Sequence, residues 1–328
     1  SDKTGLRFNI ATRGGQVKLP EHGGITISSG ENLVLPFNID LNGNLLNYAT
    51  AQLLTGENHG DVPYYVFFNT KGINPEFCFS GNGASIKPLA NCRVSRHSGK
   101  LFVNCNTDKP AHFIVSGKKG KTHILVVNKQ LALDAYQLVI NGDRHLVFSR
   151  SLILETGSDA EVFTEGKSHY TLSIFPQLKS TPKIDIGTLA EKPGYPLMSN
   201  YSVSMPEIDI KPDILKTGTR KVLVNIPQNI PHGLNDIFLN IDYIGDTGMA
   251  FLNGELVADE FYKGIAWEIG LKRFSQEHND HEMGFYFRPM MNNATYLIDL
   301  PDSVARLARS EKQTLKINNV TFKPEYKS

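Results

Sequence analysis

The sequence predicts an all-β protein made of sandwich or jelly-roll layers, and three observations carry that prediction. Short alternating or wholly apolar runs recur along the chain, separated by Gly, Pro, Asn and Asp. Helical periodicity is confined to one short stretch, Asp302 to Ser310, where Val304, Leu307 and Ala308 fall at i, i+3 and i+4 after an Asp-Ser start. Finally, Asn253-Gly254 stands between two alternating runs. A type I′ turn needs positive φ at both central residues, so that pair marks a hairpin.

In order, the expected strands are Asn32–Ile39, Tyr64–Asn69, Leu101–Asn104, His112–Ser116, His123–Asn128, Tyr136–Ile140, His145–Phe148 and Ser151–Glu155. They continue with His169–Phe175, Lys221–Ile226, Asp236–Tyr243 and Met249–Leu252. Leu33, Leu35 and Phe37 alternate with Val34 and Pro36, apolar on both faces, as in a strand buried inside a sandwich. Tyr64, Val66 and Phe68 share one face and Tyr65 and Phe67 the other, which also predicts core packing. Strands at this spacing without intervening helices give sandwiches rather than a parallel sheet. A (β/α)₈ barrel, with its eight helices, is not predicted.

A length of 328 residues suits two domains. Between Phe175 and Ser204, Pro176, Pro182, Pro193 and Pro196 with Gly187 and Gly194 interrupt any continuous sheet. The expected division is therefore a first domain over 1–178, a linker over 179–200 and a second domain over 201–328. A net charge of +1 gives no electrostatic case for nucleic acid or an anionic membrane, and no apolar run is long enough to span a bilayer. The opening Ser1-Asp2-Lys3-Thr4 has neither initiator Met nor signal segment, as in a processed or excised chain. Cys78, Cys92 and Cys105 fit neither a zinc knuckle nor a disulfide framework. At most one pair could bridge, and reduced core or surface residues are expected.

Glycoside hydrolysis needs two carboxyl groups flanking the scissile bond. Glu255, Asp259, Glu260 and Glu268 cluster in sequence, but strand alternation puts Asp259 and Glu260 on opposite faces, so solvated or turn-capping roles are expected. Glu277-His278-Asn279-Asp280-His281-Glu282 is rich in metal-ligand types, yet it lacks helical periodicity and reads as a polar loop. Gly117-Lys118-Lys119-Gly120-Lys121-Thr122 ends like a phosphate loop. However, Val115 stands where the first glycine belongs and a strand follows, so a basic hairpin turn is expected. No Gly-x-Ser-x-Gly elbow occurs. Phe261-Tyr262-Lys263-Gly264-Ile265-Ala266-Trp267 is the best binding candidate. Aromatic rings stack on the apolar face of a sugar while neighbouring polar groups meet its hydroxyls. The sugar-contact candidates are Trp267, Tyr262, Phe261 and Glu268. The competing reading has Trp267, the sole tryptophan, and Phe261 sealing a core or docking against another domain.

Two regions also carry a family resemblance. The segment from Tyr243 through Gly245-Asp246-Thr247-Gly248-Met249-Ala250-Phe251-Leu252-Asn253-Gly254-Glu255 to Phe274 resembles the C-terminal jelly roll of family 35 glycoside hydrolases, the β-galactosidase family. The N-terminal order Asn32–Asn38, Leu46–Leu54, Tyr64–Phe68 and Gly72–Phe77, with His123–Val127, Ala132–Tyr136 and Leu172–Pro176, is similar to the β-domain that follows the catalytic barrel. The resemblance implies a β-sandwich followed by a galactose-binding-like jelly roll. It also implies an accessory, non-catalytic portion of a glycosidase, since the family's two glutamates sit on the barrel and have no matching positions here. Implied partners are a galactose-containing glycan or the parent enzyme's catalytic barrel. No cofactor or catalytic metal is implied, and a structural divalent ion stays open. Export to the bacterial periplasm or beyond is the expected location. A free-standing carbohydrate-binding protein and a self-contained hydrolase are the alternatives.

Overall fold

The computed structural model describes residues 1–13, 15–59, 62–81, 83–157, 159–216, 218–274 and 282–328. Strand accounts for 58 % of the chain and helix for 7 %, which makes the protein all-β and leaves no room for a ring of barrel helices among the described residues. The chain forms two compact units that are not consecutive in sequence. The first comprises Ser1–Arg150, Thr171–Thr181 and Glu191–Tyr201, and the second Ser151–Tyr170, Pro182–Ala190 and Ser202–Ser328.

In the first unit, one sheet orders Cys92–His97, Lys100–Cys105, Glu76–Ser80, Asn44–Ala49 and Phe37–Leu41, all antiparallel. A second orders Ser85–Ala90, Ala111–Gly117, Gly120–Asn128, Val62–Asn69 and Gln52–His59. Its central pair, Gly120–Asn128 with Val62–Asn69, is parallel, with His123 opposite Tyr64. Leu46, Phe77, Phe79 and Val103 of the first sheet meet Phe67, Phe113, Val115, Ile124 and Val126 of the second in one core. The far face of the second sheet, with Tyr64, Val66, Leu125 and Val127, packs on Leu146, Phe148, Phe175 and Met198. Burial on both faces is the reason the Tyr64–Phe68 run is apolar throughout. The outer face of the first sheet, with Tyr48, Cys78 and Phe102, is covered by Ile10, Val17 and Leu19 of the hairpin Phe8–Thr12/Gly15–Leu19.

The Asn32–Ile39 expectation needs correction. The strand begins at Phe37, and Val34 is 79 % exposed. Pro36 has no N–H to give a ladder, and the Val34 N–H is met by the Gln52 side chain at 2.9 Å instead. The Lys118-Lys119 turn is a hairpin, as expected, closed by Gly117 opposite Gly120. A helix over Lys129–Leu133 was not expected. The Asn128 side chain caps it by accepting from the Leu131 N–H at 2.8 Å.

The second unit is a sandwich of two five-stranded antiparallel sheets. One orders Leu152–Thr156, Asp159–Glu165, Lys316–Lys327, Leu234–Ile244 and Trp267–Gly270; the other Asp213–Lys216, Lys221–Asn225, Glu282–Arg288, Thr247–Leu252 and Glu255–Phe261. Ile237, Leu239, Ile241, Tyr243, Trp267 and Ile269 from the first interdigitate with Val222, Val224, Ala250, Leu252, Phe285 and Phe287 from the second. Asn253 and Gly254 take φ of 53° and 83°, the doubly positive turn their sequence predicts, and join Leu252 to Glu255. The helix over Asp302–Ser310 forms as expected, with Ala305 and Ala308 buried and Val304 packed against the sandwich core.

Candidate functional site

The four sequence-predicted residues fall into three different surroundings. Trp267 opens the short strand Trp267–Gly270 and points into the core, 5 % exposed, with its ring edge-on to Phe285 at 5.8 Å. Gly248 makes room for it, since a Cβ there would stand 2.8 Å from the indole Cζ3. Tyr262 is also buried, its ring 5.2 Å from that of Tyr243. Glu268 alternates to the other face of its strand, where Lys323 Nζ lies 3.5 Å from its carboxylate and Asp236, Lys272 and Arg273 line the same open depression. Phe261 is 78 % exposed. These side chains therefore do not converge on one pocket, and among them only Phe261 offers an open aromatic face.

What surrounds Tyr262 is a set of tyrosines and carboxylates at one end of the second unit. The Tyr296 hydroxyl donates to Asp246 Oδ1 at 2.5 Å, and the Thr247 hydroxyl to Oδ2 at 3.3 Å. The Asp246 carbonyl accepts the Tyr262 N–H at 2.9 Å. The Tyr243 hydroxyl donates to Glu260 Oε1 at 3.4 Å. Burial, reinforced by the nearby carboxylates, holds the Tyr243 and Tyr296 phenols far above their ordinary range, so both stay protonated donors. Burial also lifts the Glu260 carboxyl, with Lys263 and the Tyr243 hydrogen bond pulling the other way. Asp246 and Glu260 are thus pinned by phenols, and each retains acceptor capacity for a further donor such as a hydroxyl.

A second polar cluster lies in the first unit. Glu76 is 3 % exposed in a strand whose neighbours Phe77, Cys78 and Phe79 are all buried. Its Oε1 accepts from the Tyr48 hydroxyl at 2.6 Å and the Glu21 N–H at 3.0 Å, and its Oε2 lies 2.8 Å from His22 Nδ1. The His22 ring packs edge-on against Phe102 at 4.9 Å while its side chain stays half exposed. Burial, then the Glu76 hydrogen bond, pushes the Tyr48 phenol far up. Carboxylate contact at one ring nitrogen fixes an imidazole's orientation and leaves the other nitrogen as its free polar atom.

Residues 1–134 match the family model of β-galactosidase domain 2. No curated protein matches the chain. The first part of the chain is accordingly similar to β-galactosidase domain 2, and the His22–Glu76–Tyr48 cluster lies inside the matched residues, whereas Phe261, Tyr262, Trp267 and Glu268 lie outside them. The Glu277–Glu282 ligand-type run lies outside the described residues except for Glu282, which opens a strand. Among the described residues no group of three or more His, Cys, Asp or Glu is placed to hold a metal, and no helix is long and apolar enough to cross a membrane.

Sequence reasoning missed both clusters because their members meet across long stretches of chain. The one local signal was Glu76 itself, a carboxylate heading the apolar run Phe77-Cys78-Phe79. A charge in such a strand must find partners when the strand is buried.

Proposed function

We propose that this chain is an accessory, non-catalytic β-sandwich portion of a family 35-type β-galactosidase, acting in oligosaccharide or polysaccharide breakdown beside a catalytic barrel that carries the two glutamates. The match of residues 1–134 to β-galactosidase domain 2 carries this reading. The resemblance of the Tyr243–Phe274 segment to the family's C-terminal, galactose-binding-like jelly roll supports it. In this reading the protein works outside the bacterial cytoplasm.

The role of the Phe261 segment follows from its exposure. Phe261, Ile265 and Ile298 are 78 %, 60 % and 79 % exposed, and their segments are brought together where Gly264 abuts Pro301. Large apolar side chains left in water at one place suit a surface that another domain covers. The docking partner is the catalytic barrel, and Trp267 is a core plug behind that surface rather than a sugar platform.

The test is an assay of the purified chain on aryl-β-galactosides and other aryl-glycosides, expected to show no hydrolysis. Turnover well above the uncatalysed rate, abolished by changing one Glu or Asp of this chain, would overturn the proposal. Titration with galactose and a galactan oligosaccharide separates the two roles. An unchanged Trp267 emission agrees with docking, and a saturable shift favours glycan capture.

A further inference from the structure

Cys92 and Cys105 sit directly opposite one another on the antiparallel strands Cys92–His97 and Lys100–Cys105, with their Sγ atoms 3.0 Å apart. The Asn106 N–H donates to the Asn91 carbonyl at 2.9 Å, which makes the adjoining Cys92–Cys105 pair a non-hydrogen-bonded one. In such pairs the Cα atoms stand ~4.5 Å apart and the side chains approach closely. That separation lies inside the range of roughly 4.4–6.8 Å that disulfides span. Cys92–His97 is the edge strand of its sheet, so it has a ladder partner on one side only and can absorb the small approach a bond requires.

We propose that Cys92 and Cys105 form a cross-strand disulfide when the folded protein meets a small disulfide oxidant such as oxidised glutathione. Cys92 is the partly exposed member and Cys105 the buried one, so entry is through Cys92. The Cys92 thiolate attacks the oxidant, forms a mixed disulfide and releases one reduced glutathione. Cys105 then gives up its proton and attacks the Cys92 sulfur, the mixed disulfide breaks, and a second reduced glutathione leaves. The two protein sulfurs are oxidised, one glutathione disulfide is reduced to two thiols, and the protein loses two hydrogens. The hydrogen bond to Cys92 and burial both hold the Cys105 thiol protonated, which agrees with Cys92 acting first.

Cys78 is a built-in control. It lies opposite Phe102 and packs with Tyr48, Leu19 and Phe102 on one face of the sheet, whereas Cys105 packs with Phe77, Phe79 and Val103 on the other. Burial pushes its thiol up to about 12. No bridge to Cys78 can form without unfolding the sheet.

The experiment incubates the folded 328-residue chain with oxidised glutathione and follows intact mass, thiol count after denaturation and a non-reducing peptide map. The expected result is loss of two hydrogens, one remaining thiol assigned to Cys78, a cross-link between the Cys92 and Cys105 peptides, and reversal by dithiothreitol. Cys105→Ala should instead trap one glutathione on Cys92, and Cys92→Ala should take up none. A circular dichroism spectrum unchanged by oxidation confirms that the fold is intact. Three free thiols after prolonged treatment, a mixed disulfide that persists in the unsubstituted protein, or a cross-link to Cys78 would each overturn the proposal.

Discussion

At the residue scale, two buried groups show how this protein handles polarity. Glu76 is buried with every oxygen matched. His112 is not so provided: it is 1 % exposed, its Nε2 lies 3.1 Å from His123 Nδ1, and its own Nδ1 meets no hydrogen-bond partner among the described residues. Burial, with His123 adding to it, pulls the His112 imidazole down from 6.5 to about 4. The unfolded chain therefore takes up a proton near 6.5 while the folded one refuses it until about 4, so stability rises with pH across that window and is level above it. From pH 7.5 to 4.5 the loss assignable to His112 is about 2–3 kcal/mol. Urea midpoints of the unsubstituted protein and His112→Phe at both pH values check this, because carboxylates common to both cancel in the difference. Identical pH slopes would show that His112 carries none of the effect.

At the element scale, Trp267–Gly270 is only four residues long and closes one edge of its sheet, so its side chains rather than its ladder hold it. Trp267→Ala should cost roughly 3–5 kcal/mol through the cavity it leaves, and Gly248→Ala should also destabilise because its methyl would meet the indole ring. Denaturant midpoints measure both, and an unchanged midpoint for Trp267→Ala would reject the core-plug role. Elements of this kind were legible where the signal is local: the doubly positive turn at Asn253-Gly254, the Lys118-Lys119 hairpin and the Asp302–Ser310 helix were all expected. The segment before Phe37 was misread because apolar composition outweighed the missing N–H of Pro36. The hairpin Phe8–Thr12/Gly15–Leu19 was missed because its alternation is mostly polar and exposed. The candidate site was less legible than the fold. Alternation alone separates Glu268 from Trp267, but Tyr296 meeting Asp246 or His22 meeting Glu76 is a tertiary fact no spacing encodes.

At the scale of the whole molecule, neither unit is one continuous stretch of chain, and the two alternate along the sequence beyond residue 150. Leu152–Thr156 and Asp159–Glu165 supply two strands to the sheet that Lys316–Lys327 and Leu234–Ile244 centre, with Phe163 opposite Lys327. Conversely, Phe175 pairs opposite Leu146 and joins the core around Tyr64 together with Met198. A fragment of residues 1–150 lacks both Phe175 and Met198, and a fragment of 202–328 lacks the Leu152–Glu165 hairpin. Neither should melt cooperatively at the temperature of the intact chain. Thermal melts followed by near- and far-ultraviolet circular dichroism decide this, and a fragment 1–150 that matches the intact chain would contradict it.

The parallel pairing of Val62–Asn69 with Gly120–Asn128 also bears on synthesis. As the polypeptide leaves the ribosome, Val62–Asn69 meets its antiparallel neighbour Gln52–His59 at once. Its other edge, and the second face of its sheet, wait for chain still to be translated. During that interval the nascent protein presents Tyr64, Val66 and Phe67 beside an unpaired strand edge, the surface that chaperones shield and that neighbouring nascent copies can join. Chaperone supply during synthesis should then affect how much native protein a cell recovers.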